Sequence, residues 1–157
     1  MQKDLICRDL IQLDWQALDQ ADYFDKMVAK LVELGYVKES LSEAIRAREE
    51  KYPTALPTQP EAIAIPHSDV EHIIKPFIAP TRLMTPVDWR EMGNDENVHP
   101  VRYIFMLGFL DKDGHVDVLQ VLLKNFMDPV FMASLDAASS EDEFYEAVMS
   151  IKSFEEN

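Results

Sequence analysis

The feature that most constrains the fold is the apolar run from Val101 to Leu110. The run is apolar at odd and even positions alike and is rich in β-forming residues, so a strand made from it would bury both faces. Its longest uninterrupted part, Tyr103 to Leu110, is too short to cross a bilayer as a helix. The run therefore predicts a central strand of a sheet.

Other segments show shorter strand patterns, several of them broken by proline. Strands are predicted at Leu10–Leu13, at Ala62–Ile65 and, in one or two pieces, within Ile73–Met84. Pro76 and Pro80 indicate edges or bends in that last segment, because proline offers a sheet no N–H donor. The composition of Gly93 to Asn97 is typical of a loop.

Apolar residues at helical spacing, together with end signals, predict five helices. The first spans Asp22–Leu34, and the second follows Ser40 and has Leu41, Ala44, Ile45 and Arg48 on one face. The other three start at about His115, at Asp128–Pro129 and at Ser140. Ser40 with Glu43 has the capping-box pattern, and so has Ser140 with Glu143. Because helices and strands are interleaved, we expect an α/β or α+β fold with a central mixed sheet flanked by helices. A chain of 157 residues is expected to form one domain, residues 1–157.

The charge of the chain limits its partners. With 29 acidic and 15 basic side chains, the formal charge is -14, which repels nucleic acid and anionic membranes and favours basic partners. The N-terminus lacks a signal-peptide pattern, and a lone cysteine, Cys7, fits a reducing compartment. We therefore expect a cytoplasmic protein that neither inserts into a membrane nor binds nucleic acid.

A histidine stands at the end of the strand predicted at Ala62–Ile65. Pro66 removes a backbone donor and pushes Ile65 toward extended dihedrals, so the strand stops there and His67 opens the next loop. A reactive imidazole suits that place. Arg48, on the apolar face of its predicted helix, either snorkels to water or meets an anion at the rim of the core, and spacing alone favours snorkelling.

His115 is the second candidate. In the first turn of a helix the positive end of the dipole disfavours protonation, so a neutral His115 could donate one N–H to an oxyanion. The simpler interpretation of His115, as of His72 and His99, is a hydrogen-bonded or surface histidine, and composition favours it.

Several kinds of site have little support. The spacing of His67 and His72 matches no common zinc motif, Cys7 has no evident base, and the chain lacks both a Gly-x-Ser-x-Gly elbow and a phosphate-binding glycine loop. We therefore expect no metal and no cofactor. What remains is imidazole as a nucleophile that relays a phosphoryl group, a reaction catalysed mainly by positioning and charge stabilisation.

At these residues the chain resembles the enzyme IIA domains of the fructose/mannitol class in the bacterial phosphoenolpyruvate:sugar phosphotransferase system. The resemblance covers about residue 22 to the end and rests on Arg48–Glu49, Pro53–Thr54, Ala62–His67, Pro86–Val87, the Val101–Leu110 strand and His115 with the leucines after it. It implies a central mixed sheet, phosphorylation of His67 by the phosphocarrier protein HPr, and support from Arg48 and His115. It also implies transfer from His67 to an enzyme IIB component of the same permease, for uptake of a sugar or sugar alcohol.

Two details indicate a branch of that family. Ser68 follows His67 where the fructose and mannitol branches usually have glycine, and His72 comes five residues after His67, which resembles the galactitol type. Two alternatives remain open. One is a regulatory protein of the nitrogen-related branch that binds partners according to its phosphorylation state, and the other is a binding module without turnover.

Overall fold

The computed structural model describes residues 3–111 and 115–152. In chain order the strands and helices are β1 (Gln12–Trp15), α1 (Gln20–Glu33), α2 (Leu41–Lys51), β2 (Ala55–Leu56), β3 (Ala62–Ala64), β4 (Phe77–Glu91), β5 (Asn94–Gly108), α3 (His115–Phe126), α4 (Pro129–Ala137) and α5 (Glu141–Met149). Single turns of 3-10 helix occupy Lys3–Leu5, Arg8–Leu10 and Val70–His72.

The sheet is built around a long antiparallel hairpin of β4 and β5, in which Phe77 lies opposite Gly108. β1 runs parallel to β4 on one side of the hairpin, and β3 runs parallel to β5 on the other. β2 pairs antiparallel with β3 and also meets the far end of β4, where Ala55 lies opposite Glu91. This mixed sheet with flanking helices confirms the predicted fold class, and β5 is central as predicted.

β5 separates two apolar cores. Tyr103, Phe105 and Leu107 face the core that α3, α4 and α5 cover. The alternate residues Ile104 and Met106 face the core that α1 and α2 cover. Successive side chains of a strand point to opposite faces, so a strand between two helical layers has to be apolar at every position. The run that dominates the sequence is thereby explained.

Two expectations about the sheet were wrong. Pro80 lies inside one continuous strand, β4, rather than at an edge. The side-chain nitrogen of Gln12 donates to the Pro80 carbonyl at 3.1 Å. A residue's N and C=O point to the same side of a strand, so the missing donor also faces β1, whose pairing starts only at Thr81. The predicted loop Gly93–Asn97 is mostly strand, because β5 already begins at Asn94, and Gly93 makes the turn with a φ of +77°.

The predicted ends of the helices and strands were confirmed only in part. The strand expected at Leu10–Leu13 is shifted to Gln12–Trp15, behind a 3-10 turn. Ser140 caps α5 through the Glu143 amide, as predicted. Ser40 does not cap α2, since its side chain makes no cap hydrogen bond and its hydroxyl instead lies 2.8 Å from Nδ1 of His72.

Over the described part of the chain, no single helix is long and apolar enough to span a membrane. Val116–Phe126 of α3 and Pro129–Ala137 of α4 pass that test only as a pair, by length and composition, and they meet at a bend of 81°.

Gly108 has a steric role in the hairpin that can be tested. A Cβ at this position would lie 2.2 Å from Cε1 of Phe77, in a buried contact that leaves no space for a methyl group. We expect Gly108→Ala to lower the free energy of unfolding, measured in urea, by about 1–3 kcal/mol, the usual cost of overpacking. Phe77→Leu in the Gly108→Ala background should recover part of that loss. A Gly108→Ala protein as stable as the parent would contradict the assigned register.

Candidate functional site

His67 is fixed by the pairing of β3 with β5. Past Ala64 the chain stays beside β5, and the Leu107 amide donates to the Pro66 carbonyl at 3.0 Å. Pro66 offers no donor for further pairing, and the chain leaves the sheet at His67, which is half-buried. The predicted exit from strand to loop is therefore where the structure places this residue.

The ring of His67 has a defined tautomer when neutral. Its Nδ1 lies 2.9 Å from the backbone oxygen of Ile65. A carbonyl oxygen only accepts, so Nδ1 carries the hydrogen and Nε2 keeps a lone pair. Phe109 packs against the ring edge to face, with 6.2 Å between ring centroids. A ring held in this way can act as a nucleophile through Nε2.

Arg48 lies beside His67, in the last turn of α2. Its side chain is 35% exposed, Nη1 lies 3.6 Å from a carboxylate oxygen of Asp69, and the guanidinium lies 5.5 Å from the ring centroid of Tyr52. The buried Nε has no hydrogen-bond partner within the described residues. The side chain of Arg48 is partly exposed, as snorkelling predicts, and its head group also lies near an anionic carboxylate. Both interpretations of Arg48 from the sequence therefore describe part of its surroundings.

His67 and Arg48 together line two adjoining pockets. The larger, which we call the His67 cleft, has a volume of about 500 Å³. Its other lining residues are Lys51, Tyr52, Pro53, Thr54, Met92, Gly93, Asn94, Asp95 and Leu119. The smaller, of about 320 Å³, is bordered by the loop after His67 and by Phe109 and Asp111. A tautomer-fixed imidazole beside a guanidinium is suited to accept a group that carries negative charge.

The other histidines fall into two groups. His115 is the first residue of α3, and its side chain lies outside the described part of the structure, although Leu119, one turn later, lines the His67 cleft. His72 pairs with Ser40, and Nε2 of His99 lies 2.8 Å from the Glu91 carboxylate. Within residues 3–111 and 115–152, no three His, Cys, Asp or Glu side chains are grouped as a metal site would require.

Comparison with known proteins identifies the family and the fold. The sequence model of the phosphoenolpyruvate-dependent sugar phosphotransferase system, EIIA 2, matches residues 4–150. The chain belongs to this family. A relative, the fructose-specific EIIABC component of Bacillus subtilis strain 168, is 27% identical over 143 residues, which are 88% of the chain but only 21% of that protein.

Solved structures of other EIIA proteins share the fold. The complex of the mannitol enzyme IIA with phosphorylated enzyme IIB from Escherichia coli gives a TM-score of 0.71 at 24% identity, over 89% of this chain and 94% of that one. The nitrogen regulatory protein IIA-Ntr from Neisseria meningitidis gives 0.72 at 22% identity, over 92% and 97% of the two chains. At these identities the likeness concerns the fold alone.

Glu49 is a buried residue behind the His67 cleft whose role sequence reasoning missed. It is 4% exposed, and its carboxyl group accepts hydrogen bonds from the Thr54 amide and hydroxyl, both at 2.7 Å, and from the indole of Trp89 at 3.0 Å. Thr54 lines the His67 cleft, so Glu49 fastens one rim of the cleft to the core.

A sequence signal for Glu49 was present. Leu41, Ile45 and Glu49 recur every four residues and are the buried side chains of α2. The predicted apolar face, which put Arg48 in that stripe, was therefore displaced by one position, and Arg48 lies at its edge. Burial raises the pKa of Glu49 to about 7, against the opposing effects of the bonds from Thr54 and Trp89 and of the Arg48 charge.

We expect Glu49→Ala and Glu49→Gln to differ sharply. Alanine leaves two buried N–H groups unpaired, so the free energy of unfolding should fall by about 2–4 kcal/mol. Glutamine can accept from both N–H groups and donate to the Thr54 hydroxyl, so its cost should stay below about 1 kcal/mol near pH 5. Glu50→Ala, on the exposed next residue, is the control and should change stability by less than about 0.5 kcal/mol.

The same variants test the pKa. Folding favours the protonated carboxyl, so its stabilising contribution is complete below the ordinary value of 4.5 and is lost as the pH rises through about 7. Urea unfolding between pH 4.5 and 7 should show this decline in the parent and not in Glu49→Gln. A glutamine variant as unstable at pH 5 as the alanine variant would mean that the fold requires the ionised carboxylate.

Proposed function

We propose that residues 1–157 form one EIIA phosphocarrier domain in which His67 accepts a phosphoryl group from phospho-HPr and passes it to an enzyme IIB component of a sugar permease. The observation that carries the proposal is the bond from Nδ1 of His67 to the Ile65 carbonyl. It fixes the hydrogen of the neutral ring on Nδ1, so Nε2 is the nitrogen whose lone pair would attack phosphorus, in a ring that lines the same pocket as Arg48.

In the transfer, the Nε2 lone pair forms a bond to phosphorus while the P–N bond to the donor histidine breaks. The electron pair of the broken bond returns to the donor imidazole. Nδ1–H stays bonded to Ile65 throughout, so the positive charge that develops on the ring is stabilised by a fixed carbonyl dipole. Arg48 supplies a cation for the phosphoryl oxygens, and His115 is proposed as a further donor from the start of α3.

A solvent-exposed series of apolar residues along α3, the turn after it and the start of α4 supports docking of protein partners at this site. Leu119, which lines the His67 cleft, is followed at helical spacing by Leu123 and Met127 and then by Val130, which are 41%, 65% and 74% exposed. Apolar contact there, within a chain of net charge -14, suits carrier proteins with a basic rim. The relatives are consistent with this, since one carries its IIA, IIB and IIC parts in a single component and another was solved with enzyme IIB.

The sequence details and the fold likeness bear on the substrate and on the role of the domain. Ser68 and His72 favour a sugar alcohol of the galactitol type. The second candidate is a regulatory domain of the nitrogen type, and the fold likeness to IIA-Ntr supports it as well as the likeness to mannitol IIA supports the first. Transfer from phosphorylated protein to a IIB component would favour the permease role, and binding that depends on phosphorylation but takes no phosphoryl group would favour the regulatory one.

The central test is phosphorylation with phosphoenolpyruvate, enzyme I and HPr. The protein should gain one phosphoryl group, labile in acid and stable in base, and phosphorus–nitrogen NMR couplings should place it on Nε2 of His67. His67→Ala should take up none, and His99→Ala, which changes a histidine that lines neither pocket, should behave like the parent. Phosphate on Nδ1, or phosphorylation of His67→Ala, would contradict the assignment.

The supporting residues are tested by rate. Arg48→Ala and His115→Ala should keep a near-normal melting temperature while transfer slows by roughly ten- to a thousandfold, as expected for loss of one electrostatic contact. Arg48→Lys should recover part of the rate because it restores the charge without the planar fork. His115→Gln keeps a donor but cannot titrate, so near-parental transfer would assign hydrogen bonding. Variants that melt early yet transfer normally at low temperature would make both residues structural.

A further inference from the structure

The His67 cleft is larger than phosphoryl transfer requires. A phosphoryl group on Nε2 would fill only a small part of its roughly 500 Å³, a volume within the range of pockets that hold small molecules. The cleft extends from His67 and Arg48 to the tip of the β4/β5 hairpin, where Met92, Asn94 and Asp95 form the opposite wall.

The walls of the cleft offer three kinds of contact. Arg48 and Lys51, at the end of α2, present cations to an anionic group. Asn94 and Asp95 present an amide and a carboxylate, which accept hydrogen bonds from hydroxyl groups. Met92 and Leu119 are apolar and suit a carbon chain between the two ends. A carboxylate at the far end disfavours a ligand charged along its whole length and favours one with an anionic end and a neutral hydroxylated end.

The hairpin tip is held in place, so its polar groups form a defined wall. The Met92 amide donates to the Ala55 carbonyl at 2.8 Å, which ties the tip to the strand directly after Thr54. Glu91, one residue earlier, bonds to His99 at 2.8 Å. A tip fastened to the neighbouring strand needs little ordering when a ligand binds.

We propose that the His67 cleft binds a hexose or hexitol monophosphate, with its phosphate at Arg48 and Lys51 and its hydroxyl groups at Asn94 and Asp95. The bound ester covers His67 and so competes with the phosphoryl donor. A sugar phosphate would then slow the carrier that helps to form it. This inhibition rests on the phosphocarrier function proposed above, whereas the binding does not.

Binding is tested by calorimetry and by amide NMR titration of the unphosphorylated protein. The probes are fructose 1-phosphate and mannitol 1-phosphate. Mannitol and inorganic phosphate, the two halves of the second ester, are the controls. We expect saturable binding of at least one ester with a dissociation constant of about 1 mM or below, and binding of each half at least about tenfold weaker. Amide shifts should centre on residues 92–95 and His67.

Asp95→Ala is the sharpest variant, because general electrostatics and the proposed contact predict opposite results. Removing an acid near the site should strengthen binding of any phosphate, whereas loss of the hydroxyl contact should weaken binding of the ester by about tenfold. Glu96→Ala removes the same charge from the next residue, which is exposed and does not line the cleft. It should leave ester binding unchanged or slightly stronger, and Asp95→Ala should not weaken binding of inorganic phosphate.

Three results would overturn the proposal. They are the absence of saturable ester binding up to roughly 10 mM, binding of inorganic phosphate as tight as that of the ester, and an Asp95→Ala variant that behaves like Glu96→Ala. The inhibition is measured separately, as the rate of His67 phosphorylation by HPr with and without ester. An ester that binds without slowing that rate would refute the inhibition alone, and ester binding by a protein that HPr cannot phosphorylate would refute the phosphocarrier function alone.

Discussion

The arrangement of the site depends on the parallel pairing of β3 with β5. This pairing ends where the Leu107 amide donates to the Pro66 carbonyl, and it fixes the backbone immediately before His67. The fixed backbone places the Ile65 carbonyl under the imidazole and so determines which ring nitrogen carries the hydrogen. One sheet contact thereby sets the position, the orientation and the tautomer of the side chain. A reactive histidine on an unpaired loop would have to gain all three when its partner arrives.

The same sheet explains why the site lies where several elements end. Because β5 is buried on both faces from Tyr103 to Gly108, the polar chemistry has no place within the two cores and collects at their border. Arg48 comes from the last turn of α2, His67 from the exit of β3, Asn94 and Asp95 from the hairpin tip, and Leu119 from the start of α3. Each of these side chains is held by a rigid part of the fold, and four different parts contribute.

The features that could be predicted from the sequence are those whose physical cause lies within the same segment of the chain. β5 and the exit at His67 were predicted because an apolar run and a proline act on their own segment. Pro80 in a central strand was not, because its missing N–H is tolerated where the pairing of β1 with β4 has not yet begun, and β1 starts at Gln12, 68 residues away. The role of Glu49 was missed in the same way, since Trp89 is 40 residues distant. Only the four-residue spacing with Ile45 gave a local sign that an acid belonged to the buried face.

The neighbouring charges of Glu49 and Arg48 connect stability with chemistry. A buried carboxylate next to Arg48 would, when ionised, offset part of the positive charge that a phosphoryl group needs. Burial raises the pKa of Glu49 to about 7, so near neutral pH much of that group is protonated. A protonated Glu49 does not offset the positive charge of Arg48. The three hydrogen bonds to Glu49 hold the cleft rim in either state, because a protonated carboxyl can still accept from the two N–H groups and donate to the Thr54 hydroxyl. Glu49 can therefore support the rim of the site while offsetting only part of the Arg48 charge.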